Sequence, residues 1–222
     1  MTVHFQRELG KVKDSLLRLS NRALDQVDRA VRSFVERDSA LAEQIIRDDK
    51  EIDHAEIELE EECLKILALY QPVARDLRFI VCALKMNNDL ERIGDLAVNI
   101  ARKTQTLCKK PPVELPGVLA EMCGAVQQML RDSVDALVQG QSSLARSVLR
   151  RDAEVDEMKR SVRRWAEEVI RSDINLLGPA LAIMAASRNL ERIADHATNL
   201  AEDVIYLVEG EIVRHQAGDG EG

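Results

Sequence analysis

Apolar residues recur along this chain at steps of three and four. In the first segment Phe5, Leu9, Val12, Leu16, Leu19, Ala23, Val27, Ala30 and Phe34 lay one apolar stripe along a single long helix. Asp38-Ser39 offers a cap for a second helix, which runs to about Tyr70 and stops at Gln71-Pro72. A third runs from about Val73 to Cys108. The stretch Lys109 to Gly117 then holds three of the five prolines and forms the natural boundary. A second trio follows: about Val118 to Gln139, broken by Gly140; a helix to about Ser172; and a last one from around Leu176 to Glu209.

The two trios read as copies. Asp49-Lys50-Glu51-Ile52-Asp53 matches Asp152-Ala153-Glu154-Val155-Asp156 at an offset of 103, and Leu90-Glu91-Arg92-Ile93-Gly94-Asp95 matches Leu190-Glu191-Arg192-Ile193-Ala194-Asp195 at an offset of 100. A length difference in the connector near Pro72 and Pro179 accounts for the change. Long helices with short links close as antiparallel bundles. The predicted fold is therefore all-α, a tandem duplication of an antiparallel three-helix bundle with six long helices. Its units are residues 1–110 and 113–210, and 211–222 form a flexible tail with nothing to pack.

Composition narrows the function. Aromatics make up 3% of the chain, and 10 Gly and 5 Pro are too few for an all-β protein. A net charge of −8 argues against general nucleic-acid binding. No apolar run reaches the roughly 18 residues of a membrane span, and the first residues lack a signal core. Cys63, Cys82, Cys108 and Cys123 have no zinc or redox spacing and read as small buried residues in a reducing compartment. A soluble cytoplasmic protein is expected.

The candidate chemistry lies in four acidic pairs at i, i+4: Asp49/Asp53, Glu91/Asp95, Asp152/Asp156 and Glu191/Asp195. Partners at this spacing sit about 40° apart on one helix face, where like charges repel. On a helical wheel Glu91, Asp95 and Asn99 point away from the arc of Leu90, Ile93, Ala97 and Ala101, and the second copy repeats this. Antiparallel packing of the second and third helices would join the rows into four carboxylates per half, in a shallow outer seam. Oxygen donors of this kind suit Mg²⁺, Mn²⁺, iron or Ca²⁺. The competing reading is a solvated helix face neutralised by Arg92 and Arg192. His54 and His196 lie near the pairs, and Asn99 and Asn199 extend the rows.

Enzyme signatures are scarce: there is no Gly-rich phosphate loop and no nucleophile elbow. A ferritin-like di-iron site needs two Glu-x-x-His motifs, and Glu51-Ile52-Asp53-His54 has no such counterpart in Glu154-Val155-Asp156-Glu157. A metal-dependent carboxylate-cluster enzyme, phosphatase or oxidase, stands as the alternative to a protein without catalysis.

The opening His4-Phe5 with Glu8-Leu9, the duplicated trios and the paired Glu/Asp-x-x-x-Asp motifs resemble the PhoU family of phosphate-uptake regulators. The stretch from Leu190 through Asp195-His196 and Asn199 to Glu202 is similar to that family's second signature. Glu91 to Asn99 is similar to the first, with Leu96 in place of His196. The similarity runs from roughly Thr2 to Glu211. It implies two three-helix bundles side by side, often as a homodimer, and multinuclear metal clusters of iron, or of Mn²⁺ or Mg²⁺. The implied ligands are Asp49, Asp53, Glu91 and Asp95 in one half and Asp152, Asp156, Glu191 and Asp195 in the other. It also implies a negative regulator of phosphate uptake and phosphate-starvation signalling. Such a protein is an adaptor, not an enzyme, between the phosphate ABC transporter ATPase and a membrane sensor histidine kinase, with peripheral membrane association.

Overall fold

The chain turns where its caps and breakers stand. A computed structural model describes residues 3–213. Helix α1 (Val3–Glu36) ends as Arg37 enters the left-handed region at φ 55°. Asp38 then caps α2 (Ser39–Asp48), its carboxylate accepting from the N–H groups of Ala40 and Leu41 at 2.9 Å each. Helix α3 (Lys50–Tyr70) stops at Gln71, φ 46°, directly before Pro72. After α4 (Ala74–Cys108) a proline-rich coil leads to α5 (Gly117–Gln139), closed by Gly140 at φ 63°. Helix α6 (Ser142–Ser172) and a short 3₁₀ turn (Ile174–Leu176) precede α7 (Leu177–Glu209), which holds Pro179 in its first turn, where a missing N–H costs nothing. The expected tail falls outside the described residues except for 211–213, of which Val213 is buried.

The all-α duplicated architecture is the one expected, with one difference. The second helix is broken at Asp49 into α2 and α3. Asp49 keeps helical dihedrals (φ −53°, ψ −36°), so its residue type gives no sign of the break. Side chains of α1 grip the junction: the guanidinium of Arg29 donates to Asp48 at 2.7 Å, and the Gln26 amide donates to Asp49 at 3.1 Å.

Helices α1, α2–α3 and α4 form one bundle and α5, α6 and α7 the other. The bundles join through α4 against α7 and, more lightly, α1 against α5. Pairing of Lys85 with Asp203 and of Asp89 with His196 shows that α4 and α7 run antiparallel. Leu16, Leu19, Leu59, Met86, Leu90 and Ile93 are almost wholly buried. Side chains of this size contribute about 1.5–3 kcal/mol each when removed from water. Asp28 and Arg131 occupy matching positions in the two copies and bond each other across α1 and α5, both carboxylate oxygens accepting at 2.8 Å. A residue that touches its own counterpart lies beside the two-fold relation between copies, which places that pseudo-axis at the bundle junction. Among the described residues no helix is long and apolar enough to cross a membrane.

Candidate metal centre

The carboxylate rows sit where α4 lies against α2–α3, and α7 against α6. Buried Leu90, Ile93 and Ala97 fix the rotation of α4, which leaves Glu91, Asp95 and Asn99 half-buried at the seam. Leu190, Ile193 and Ala197 do the same for α7, with Glu191 half-buried and Asp195 exposed at the residue level. The expected pairs are thus brought together in each copy, close enough to act on one another electrostatically. As the side chains stand, however, no three His, Cys, Asp or Glu groups among the described residues converge on a point that would hold one ion.

In the first copy, desolvation raises the Asp49 carboxyl above its ordinary range; the Gln26 bond opposes this, and Asp53 and Asp95 add repulsion. Glu91 is also raised, by desolvation first and then by Asp95, with Asp53 and Glu56 contributing further. Glu56, outside the four i, i+4 pairs, makes a fifth carboxylate. It too is raised by desolvation, with Glu60 and Asp53 adding to the effect, and the Asn87 amide donates to it at 3.0 Å. The internal relief comes from Arg92, 3.4 Å from Glu91 and 3.2 Å from Asp95, and for Asp49 from the charge of Arg102. The Oε1 atom of Gln26 is buried without a partner.

The second copy is neutralised differently. The Lys159 ammonium bridges Asp156 at 2.7 Å and Glu191 at 2.6 Å, joining α6 to α7. Those bonds raise Lys159 above the usual ammonium range. Desolvation, then Asp156 and Glu191, push Asp152 up. Asp195 is moved furthest, to about 6, by desolvation and by repulsion from Glu191, Asp152 and Asp156. Lys159 stands at the register of Glu56, so the two copies place opposite charges at one position.

Neither histidine joins a cluster. His54 pairs with exposed Glu58 on its own helix at 3.3 Å. His196 reaches across to Asp89 at 2.7 Å, with the Asn199 amide on the same oxygen at 3.2 Å. Burial pushes the thiols of Cys63, Cys82 and Cys123 up to about 12, 11 and 12, so at neutral pH they remain protonated packing residues. The donor chemistry of the first cluster fits a hard divalent or trivalent cation: carboxylate oxygens only, mutually repelling, with Arg92 and the more distant Arg102 as counter-charge. The second cluster offers the same oxygens but already holds an ammonium.

The sequence pattern of the PhoU domain matches this chain twice, at residues 16–104 and 119–204. The chain is 39% identical over 212 residues, 95% of its length, to the phosphate-specific transport system accessory protein PhoU homolog of Pseudomonas putida, covering 83% of that protein. It is 36% identical to homolog 1 of Thermotoga maritima, covering 94% of this chain and 90% of that one. The crystal structure of PhoU from Pseudomonas aeruginosa superimposes with a TM-score of 0.88 at 38% identity, over 93% of this chain and 100% of that one. The phosphate transport system regulatory protein PhoU from Streptococcus pneumoniae superimposes with a TM-score of 0.87 at 28% identity, over 94% of this chain and 99% of that one.

Proposed function

The chain belongs to the PhoU family, and from that membership and its two acidic seams we propose that it is a regulatory accessory protein of phosphate transport without catalysis of its own. In this reading it works in the cytoplasm as a homodimer. It connects the ATPase of the phosphate ABC transporter to a membrane sensor histidine kinase, keeping uptake and phosphate-starvation genes off when phosphate is plentiful. The observation that carries the reading is the placement of paired carboxylates along long, half-exposed helix faces in both copies. Such faces suit docking to a partner, with a metal setting their charge.

In the first copy Asp49, Asp53, Glu91 and Asp95 would hold iron, Mn²⁺ or Mg²⁺, with Glu56 beside them; in the second, Asp152, Asp156, Glu191 and Asp195 would do so. The metal would supply positive charge and cross-link the helices of a bundle. The chain's own residues place the oxygens: Gln26 orients Asp49 and Asn87 orients Glu56. The decisive experiment is deletion of the gene in its host, with a phosphatase reporter read at high phosphate and a pull-down from host membranes. Derepression, with recovery of transporter ATPase and kinase together, is the expected result; unchanged repression sinks the regulatory role. Phosphatase or oxidase turnover of the metal-loaded protein, abolished by Glu191→Ala, would replace the adaptor with an enzyme.

A further inference from the structure

At one end of the α4–α7 contact, Arg102 and Lys103 of α4 face Arg188 and Arg192 of α7 across a cleft of about 420 Å³. Asn99, Asn189 and Ala185 complete its wall. Arg102, Arg188 and Arg192 are exposed, while Lys103 and both asparagines are half-buried. None of the four cations forms an ion pair among the described residues, although the chain carries 39 carboxylates against 31 basic residues. Arg102 bonds only its neighbour Asn99, at 3.2 Å. Elsewhere on the helices Arg29, Arg131, Arg146 and Arg151 all meet a carboxylate within 2.8 Å.

Comparison of the copies explains why this cleft stays charged. Arg92 in the first copy lies on Glu91 and Asp95. Its counterpart Arg192 is released from that duty, because Lys159 supplies the cation to Glu191 and Asp156. Released from its own cluster, Arg192 lines the cleft instead. At the matching end of the same helix pair the chain places Glu202 and Asp203 where Arg102 and Lys103 stand, and Lys85 bonds Asp203 there at 2.9 Å. The duplication therefore leaves one basic cleft rather than two.

We propose that this cleft is a binding site for a phosphate-class oxyanion, either a free phosphate or the phosphomonoester headgroup of a lipid. Guanidinium groups present paired N–H donors that match two oxygens of a tetrahedral anion, and a lysine adds a compact charge. The asparagine amides add neutral donors. No aromatic or large apolar side chain lines the wall, so it offers nothing to a nucleobase or an acyl chain. Four cations held close with no carboxylate in ion-pair contact repel one another, and a multivalent anion relieves that repulsion where chloride does so weakly. The site adjoins the first carboxylate seam through Asn99 and Arg102, uses none of its carboxylates, and does not depend on the adaptor reading.

The test uses the purified full chain, treated with chelator, in calorimetric titrations with inorganic phosphate and with pyrophosphate at near-physiological salt. Flotation with phosphatidylcholine vesicles, with and without phosphatidic acid, tests the lipid source. Saturable binding that falls at least tenfold in Lys103→Gln/Arg188→Gln is expected. The charge-matched Arg150→Gln/Arg171→Gln, whose arginines lie outside the cleft, keeps it. Arg188→Gln alone, at an exposed position, serves if the double variant loses its helical circular dichroism. Binding of free anions alone assigns the site to soluble phosphate; binding of phosphatidic acid vesicles alone assigns it to a headgroup. Two results overturn it: binding of the chelator-treated chain to no probe, or equal loss in both double variants.

Discussion

Three residues beyond Asp53 the first copy has Glu56, held by Asn87; at the same register, three beyond Asp156, the second copy has Lys159. Around this exchange the other neighbours differ as well. Asp49 has the Gln26 amide beside it, whereas the position matching Gln26 is Met129, which is buried and carries no donor. One copy thus gathers five carboxylates, of which Arg92 pairs with two, Glu91 and Asp95. The other keeps four and binds two of them to its own ammonium. Identical motifs therefore need not make identical sites: Glu-Arg-Ile-x-Asp occurs in both copies, yet its arginine lies on the cluster in one and turns to a cleft in the other.

The sharpest way to break the comparison is to titrate metal into each copy separately. Asp49→Ala/Glu91→Ala should weaken the tighter class of Mn²⁺ sites by about a hundredfold or more, since it removes oxygens that no ammonium bridges. Asp152→Ala/Glu191→Ala should leave that class in place and remove only a weaker one, both read by calorimetry on chelator-stripped protein. Lys159→Glu copies the first cluster into the second, and the weaker class should tighten by about tenfold or more as an ammonium is exchanged for a carboxylate. Equal affinities in the parent protein would show that Lys159 does not distinguish the copies.

Acid should also separate them. Asp195 has its carboxyl raised from 3.8 to about 6, so the folded chain binds its proton more tightly than the unfolded chain. That contribution is fully present below the unfolded value and is lost as pH rises through about 6. Asp49, Glu91 and Asp152 are raised in the same sense. Chelator-stripped protein should therefore melt at a higher temperature near pH 5 than at pH 7. Asp195→Asn should flatten the part of that slope nearest pH 6. Saturating Mn²⁺ should reverse the slope, because metal and proton compete for the same oxygens.

Much of this was legible in the sequence, and what was not has a physical reason. Helix ends could be read because Asp38, Pro72, Gly140 and Pro179 act through local backbone rules. The four acid pairs could be read because i, i+4 spacing fixes a face whatever the neighbours are. Lys159 was within reach, since it sits three residues after Asp156 on the same helix. Gln26 was not: its role depends on the rotation of α1 against the α2–α3 junction, which no local pattern encodes. The break at Asp49 is not written in its residue type either; the bonds at that junction, from Arg29 to Asp48 and from Gln26 to Asp49, are long-range.

Gly94 tests how closely that junction is packed. A Cβ there would stand 3.2 Å from Ile52 Cδ1 and 3.3 Å from Gln26 Oε1, both tight, whereas the second copy carries Ala194 at the matching place. Gly94→Ala gains helix propensity but crowds Gln26, so it should cost about 1–2 kcal/mol net and loosen the Gln26–Asp49 bond. Ala194→Gly should cost about 1 kcal/mol through backbone entropy alone. Urea unfolding of both variants separates the two causes, because only the first should also weaken metal at the first cluster.

The smallest quantity to be read is the coupling within a pair of reversed polarity. In the first copy Arg29 of α1 bonds Asp48 of α2 at 2.7 Å; in the second, Asp132 of α5 accepts from Arg151 of α6 at 2.7 Å, at the matching positions. Both pairs tie the first helix of a bundle to the start of the carboxylate row, and the swap implies that the contact matters while its direction does not. Arg29→Asp alone sets a carboxylate against Asp48 and should destabilise by about 1–2 kcal/mol. Arg29→Asp/Asp48→Arg should recover most of that, with a coupling of about 0.5–1 kcal/mol from the double-mutant cycle. Failure of the reversed pair to recover stability would mean that the first copy depends on polarity after all, through the negative field of its five carboxylates. An arginine on α2 would then be drawn toward the adjacent acids rather than back to α1, and the two copies would differ in their electrostatics beyond the Glu56–Lys159 exchange.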